Sequence, residues 1–314
     1  MNTRRLPSRP GWVHWLLLAT LALGLCSTSV SAEDDEDDDF ETTWVGLRLG
    51  GWYRPAVHLE ALVSGRALGL GGSLPGTRFD AESDLGVTQT VESEVFPDQV
   101  VPEAQFFFDT EWVSLSLDFT APYRYRGRRV FQRTINFAGR SFTAGVAVDS
   151  KLEQFSAGVQ LKINVFNNRV FAISPLIGAR MFALDWELEA STVGGLPGGA
   201  LRADTTEIDN PIQFGDFQVL PYPELGLEVK VGLRKFFEVD AKLSGFYLDF
   251  FGLRGGALNA ELGATLFPIP NLGIRLAYRY QSIDFQARHS KQSSNFFEFD
   301  LNFHGPTLSL IVRF

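Results

Sequence analysis

An all-β fold, one antiparallel up-and-down sheet closed on itself, is predicted by three observations. Apolar residues recur at every second position from Trp44 onward, the alternating runs are long, and the links between them alternate between very short and long. A period of two belongs to strands, whose successive side chains point to opposite faces, and not to helices. A run of roughly 14 residues exceeds the usual five or six of globular sheets and is long enough to cross a bilayer at a tilt. The fold class is therefore an all-β, transmembrane antiparallel up-and-down β-barrel of about 10 strands, with 8 or 12 as alternatives.

Residues 1–32 read as an address. Arg4, Arg5 and Arg9 precede an apolar stretch from Trp12 to Leu25, which is shorter than the ~20 residues of a spanning helix. Small residues at Val30 and Ala32 fit cleavage before Glu33. Leu25 stands before Cys26, where a lipoprotein signal would carry Gly or Ala, so lipidation is disfavoured. Residues 33–42 form an acidic leader. Glu33 to Asp39 is an unbroken acidic run that repels itself and cannot bury apolar area, so it is expected to be disordered. The barrel is expected over 43–314.

Within it, strands are expected at about 44–54, 104–109, 111–120, 152–166, 169–189, 217–233, 235–250, 256–267, 271–287 and 296–314. Val45, Leu47 and Leu49 alternate with Arg48 in the first, and Val113, Leu115, Leu117 and Phe119 with Ser114, Ser116 and Asp118 in the third. From Lys151 to Phe166, Phe155, Ala157, Val159, Leu161, Ile163 and Val165 oppose Gln154, Ser156, Gly158, Gln160, Lys162 and Asn164. Leu225, Leu227, Val229 and Val231 oppose Glu224, Glu228 and Lys230; Val239, Ala241 and Leu243 oppose Glu238, Asp240 and Lys242. Leu272, Ile274, Leu276, Tyr278 and Tyr280 oppose Arg275, Arg279 and Gln281. Pro306 interrupts the parity between Phe303 and Leu308, which predicts a bulge in the last strand.

A soluble sandwich and a membrane barrel both have two-faced strands, and the links separate them. Thr110, Asn167-Asn168, Arg234 and Pro268 to Pro270 are tight, whereas 55–103, 121–151, 190–216, 251–255 and 288–295 are longer. Tight turns alternating with long loops are the pattern of a membrane barrel, not of a Greek key. The 49-residue first link is expected to hide an extension of its neighbours or an extra hairpin. Aromatics at strand ends fit girdles at the two interfaces: Trp44, Trp52, Tyr53, Trp112, Phe166, Phe171, Trp186, Phe236, Phe237, Tyr247, Phe250, Phe251, Phe267, Phe296, Phe297 and Phe314.

Composition excludes several functions. The chain of 314 residues carries 37 acids against 28 bases, so it lacks the positive face that a nucleic-acid binder needs. Without the three arginines of residues 1–32 it holds 25 bases against 37 acids. One cysteine allows neither an internal disulfide nor a Cys-rich zinc or iron–sulfur site, and no cofactor is expected. The 28 Phe against 2 Met fit a lipid-facing belt better than a water-soluble core.

In the last strand, Leu308, Leu310, Val312 and Phe314 alternate with Thr307, Ser309, Ile311 and Arg313. This resembles the C-terminal signal of Gram-negative outer-membrane β-barrels, which the barrel assembly machinery of that family recognises. The resemblance covers the chain from about residue 42 and implies a place in the outer membrane, with membrane lipid and the assembly machinery as partners. It also implies an extracellular ligand for the long loops. Arg48, Lys162, Glu224, Glu228, Lys230, Glu238, Asp240, Lys242, Glu261, Arg275 and Arg279 are expected to point into the lumen. Their mixed signs point to a bracing or occluding network rather than a single-sign selectivity ring. The expected role is structural, loop-binding or limited permeation. Two alternatives stand beside it: a narrow solute-conducting porin, and a barrel hydrolase using His58, His289 or His304, with Ser290, Ser293, Ser294 and Asn295 near His289.

Overall fold

A computed structural model of the chain describes residues 43–54, 56–63, 65–66, 73–74, 77–80, 87–88, 100–137, 140–168, 170–191, 201–204, 213–214, 217–232, 236–250, 253–288 and 296–314. Residues 1–42, over which the signal and the acidic leader are expected, lie outside the described residues. Ten long strands form the body: β1 (Trp44–Tyr53), β2 (Val100–Asp109), β3 (Val113–Val130), β4 (Ala147–Ile163), β5 (Phe171–Ser191), β6 (Phe217–Gly232), β7 (Phe237–Phe250), β8 (Leu253–Ile269), β9 (Leu272–Arg288) and β10 (Phe296–Arg313). Each pairs antiparallel with its successor. β10 returns to β1 from Gly46↔Arg313 to Trp52↔Thr307, so the sheet closes as a ten-strand up-and-down barrel.

The tight turns collect at one end. Between β2 and β3, Thr110 Oγ1 donates to the Val113 carbonyl (2.8 Å) and accepts from its N–H (3.0 Å). Between β4 and β5, Asn168 Oδ1 accepts from the N–H groups of Val170 (2.9 Å) and Phe171 (2.7 Å), the side-chain capping for which Asn is favoured in turns. The β8–β9 turn falls at Pro270-Asn271 rather than at Pro268. Pro268, which has no N–H to give, sits in a register slip between Leu266 and Ile269.

The long links leave from the other end, the loop end. In the first of them, Ala56–Val63 pairs with β10 over Ala56↔His304 to Val63↔Phe297. The register has advanced by one residue relative to β1, so this segment prolongs β1 beyond an irregularity at Arg54.

Two bulges differ from expectation. The β3–β4 register slips between Gln154↔Tyr123 and Ser156↔Thr120, giving β3 one extra residue beside Pro122. The slip reverses parity: Ser116 and Thr120 face the interior before it, Tyr123 and Tyr125 after it. That reversal hid the upper half of β3 from a reading based on alternation. The bulge expected at Pro306 is absent, because β9 and β10 stay in one register from Leu272↔Val312 to Arg288↔Phe296. Phe303 and Thr307 share a face; what changes between them is the content of the interior.

Outward side chains are apolar around the barrel. Leu262, Leu276 and Leu308 are 60%, 60% and 61% exposed, and Leu115, Leu117, Val159, Leu161, Leu225, Leu243, Ile274 and Leu310 are exposed with them. So continuous an apolar surface is foreign to a water-soluble monomer. On β4 the outward face is apolar from Ile163 to Phe155 and charged from Glu153 to Asp149. The apolar stretch matches the ~9–11 residues of a tilted membrane strand. Trp112, Phe166, Phe236 and Phe314 are exposed at the turn end, and Tyr53 and Tyr247 toward the loop end. Trp52, Trp186 and Phe267, expected in the girdles, are buried inside, because their strand parity points inward. The side chains of Phe250, Phe251, Phe296 and Phe297 lie outside the described residues.

Candidate functional site

The interior is the place where this fold concentrates chemistry. Alternation alone sets which residues enter it, since even positions of β1, β4, β5, β6 and β7 and odd positions of β2, β8, β9 and β10 face inward. The eleven residues expected in the lumen carry ion pairs or hydrogen bonds there, gathered around three carboxylates, Glu261, Glu228 and Glu224. Glu261 has Arg275 Nη1 at 2.6 Å, Arg279 Nη2 at 2.7 Å and Arg48 Nη1 at 3.9 Å. Arg275 also pairs with Asp240, and Arg279 Nη1 reaches Glu103 Oε1 at 2.5 Å. Glu228 takes Lys162 and Lys230, each at 3.2 Å. Glu238 lies 4.0 Å from Lys230 and 3.6 Å from Arg313.

Four members were missing from the sequence-based set: Glu103, Asp118, Arg180 and Arg313. Arg180 joins Asp118 at 3.2 Å and Glu224 at 3.4 Å. It escaped notice because the inward positions around it on β5, Leu176, Gly178 and Phe182, carry no polar side chain and erase the contrast between faces. Asp118 lay on the polar face of its run, so the signal was present. Neutral groups complete the shell. Gln160 Nε2 donates to Glu224 Oε2 (2.7 Å), Gln160 Oε1 accepts from Lys242 Nζ (2.5 Å), and Ser244 donates to Glu224.

Cavities of about 40 and 80 Å³ remain among these charges, both lined by Arg48, Lys242 and Glu261. Polar spaces of this size hold water, and the charges around them are paired rather than arrayed as a ring of one sign.

Apolar layers bound the network. At the turn end Phe107, Phe267 and Ile311 cluster, with the Arg313 guanidinium 3.9 Å from the Phe267 ring centroid. At the loop end a larger plug joins Trp52, Tyr123, Tyr125, Leu152, Phe182, Trp186, Phe299, Leu301 and Phe303 from the walls. The second long link adds a hairpin, Ile135–Phe137 paired with Arg140–Phe142, and buries Phe131, Ile135, Phe137 and Phe142 in the plug. Phe137 meets Trp186 edge-on at 5.6 Å, an arrangement favoured by the ring quadrupoles. Arg54 closes the boundary between plug and network. Its guanidinium stacks 3.8 Å from the Trp52 ring and 4.5 Å from those of Tyr123 and Phe303, and it donates to the Tyr123 hydroxyl.

Outside, above the apolar belt, charges form a collar. Arg124 pairs with Glu153, Lys151 with Glu153 (3.0 Å) and Glu187 (3.9 Å), and Arg128 with Asp149 (3.5 Å). Lys151 and Arg124 hold the Glu153 carboxyl below its ordinary range against the opposing effect of burial.

Of the histidines, His304 faces outward on β10 with Nδ1 2.8 Å from the Tyr278 hydroxyl, and no serine or carboxylate takes that place. The His58 side chain and the whole of His289, with Ser290, Ser293, Ser294 and Asn295, lie outside the described residues.

No family model and no curated protein matches the chain. Among solved structures it is similar to the outer membrane protease OmpT from Escherichia coli, at 10% identity and a TM-score of 0.44 over 91% of this chain and 100% of that one. It is similar also to OprG from Pseudomonas aeruginosa, at 12% identity and a TM-score of 0.34 over 87% and 97%. Ail from Yersinia pestis aligns at 10% identity and a TM-score of 0.29 over 87% and 99%. These neighbours are outer-membrane β-barrel proteins. The chain's own geometry defines it as a closed ten-strand antiparallel barrel with an apolar exterior and an ion-paired, aromatic-capped interior.

Proposed function

We propose that this chain is an outer-membrane barrel that works as a closed scaffold. It holds the lipid phase with its outer face, passes little or no solute, and presents its long links to an extracellular partner. One observation carries the reading: an aromatic plug sits on a lumen whose charges are already paired. Ten strands enclose an interior only slightly wider than the eight-stranded case that side chains fill, so little space is left to conduct. The exposed leucines and the aromatic ends support membrane placement. The short turns would then face the periplasm and the long links the exterior.

Planar-bilayer recording tests the closed lumen. The expected result is no reproducible conductance step from the purified protein, and regular steps would establish a pore instead. Recovery of the mature chain in a soluble periplasmic fraction would sink the membrane placement. Trimming residues 190–216 is expected to remove partner adhesion while heat-modifiable gel migration, the mark of a folded barrel, is kept.

A further inference from the structure

Beyond the lumen, an open groove of about 510 Å³ lies on the outside of the loop end. It is lined by Arg126, Arg128, Asp149, Lys151, Glu187 and Glu189, with backbone at Gly127 and Ser150. Its volume falls in the ~300–1,000 Å³ range of small-molecule sites. Registry orders its charges into two rows across three strands. One row is Arg126–Lys151–Glu187 and the other Arg128–Asp149–Glu189. Both β3 positions are cationic and both β5 positions are anionic, while the central strand supplies one of each.

The groove is thus polarised across its width, which is about 10 Å at the ~4.8 Å spacing of adjacent strands. Arg126, Arg128 and Lys151 form a corner of three cations; Asp149, Glu187 and Glu189 form a corner of three carboxylates. The pairs within the lining are long, 3.5 Å for Arg128–Asp149 and 3.9 Å for Lys151–Glu187, the first is well exposed to water, and Lys151 also holds Glu153, outside the lining, at 3.0 Å. Such pairs exchange for a ligand at little cost. The groove also stands directly above the change from apolar to charged residues on β4, the level of polar headgroups if the barrel spans a bilayer.

We propose that this groove binds a zwitterionic aminophosphate headgroup, with the phosphate on Arg126, Arg128 and Lys151 and a primary ammonium on Asp149, Glu187 and Glu189. Guanidinium forks match phosphate oxygens, and an ammonium that keeps its N–H bonds can donate to the carboxylates. A quaternary amine cannot donate, and inorganic phosphate leaves the acidic corner unmatched. Both are therefore discriminated against.

The test is a phosphorus NMR titration of the full-length protein in a non-phosphate detergent, which reads the groove whether or not the barrel sits in a membrane. Phosphoethanolamine is expected to give a saturable shift, with phosphocholine and inorganic phosphate about fivefold weaker. The double variant Arg126→Ala/Arg128→Ala is expected to bind about tenfold more weakly. Glu187→Gln/Glu189→Gln should keep phosphate binding while losing the preference for phosphoethanolamine over phosphocholine. Heat-modifiable migration verifies that each variant is folded. Equal binding of phosphoethanolamine and phosphocholine by the unaltered protein, or undiminished binding by the folded arginine variant, overturns the proposal. Native mass spectrometry from nanodiscs mixing phosphatidylethanolamine and phosphatidylglycerol then identifies the source. Selective retention of phosphatidylethanolamine assigns a lipid, whereas soluble binding without retention assigns a free aminophosphate.

Discussion

Glu261 and Asp284 illustrate opposite treatments of a carboxylate in one barrel. Glu261 is surrounded by Arg48, Arg275 and Arg279, and its neutralisation removes a shared partner from the buried Arg275 and the partly buried Arg48 and Arg279, leaving Asp240 to Arg275 and Glu103 to Arg279. Breaking a buried pair by removing one partner costs about 3–5 kcal/mol. Glu261→Gln is expected to lower barrel stability by that order in urea titrations of the detergent-folded protein, with β-sheet circular dichroism retained before the transition. Asp284 lies above the apolar belt on the outward face of β9, directly opposite Asp300 on β10. Burial, with Asp300 and Glu298 beside it, pushes its carboxyl above the ordinary aspartate range despite Arg254 and Arg78. A raised folded-state pKa means that the folded form holds the proton more tightly than the unfolded form. Stability from this group is therefore greatest at acid pH and is lost as pH rises through the folded pKa. Asp284→Asn should stabilise the protein at neutral pH, and the gain should vanish below the ordinary carboxylate range; an equal gain at both pH values would show a different cause.

Among the elements, the hairpin within the second long link has the largest consequence for the interior. Its residues Ile135, Phe137 and Phe142 occupy space that the walls alone leave open, and two further bonds tie it to the first link. The Thr77 N–H donates to the Asn136 carbonyl (3.0 Å), and the Asn136 N–H to Thr77 Oγ1 (3.1 Å). Replacing residues 132–144 by a short glycine–serine link should remove the top of the plug but leave the barrel strands paired. Small conductance steps are expected in bilayers from this variant and not from the parent, small because the ion pairs below persist. Unchanged silence would place the barrier in the charged layer instead. The hairpin was illegible in the sequence because its apolar residues are few and interrupted, and nothing local says that a loop folds inward.

At the scale of the whole molecule, closure between β1 and β10 decides whether the barrel exists. Leu308 and Leu310 are exposed on the outer face of β10, and Val312 and Phe314 follow at the same parity. We read this strand as the one that the assembly machinery engages. Phe314→Ala is expected to lower the yield of heat-modifiable protein in the outer membrane severalfold, without changing the stability of what does insert. An unaltered yield would remove the terminal aromatic from assembly.

The alternation of apolar and polar residues, with the link lengths, determined the antiparallel up-and-down topology and a count of about ten strands, and it assigned eleven charged residues to the inward faces. A period of two fixes faces locally, and tight turns fix neighbours. Only the tertiary structure decided what those faces enclose. The slip beside Pro122 exchanges the faces of β3, so Tyr123 and Tyr125 turn inward. Trp52, Trp186 and Phe303 share parity with charged residues lower on the same strands, and become a plug only when ten strands bring them to one level. Periodicity tells inside from outside along a single strand. Depth within a closed barrel depends on the stagger of every strand against its neighbours, and that is a property of the assembled sheet.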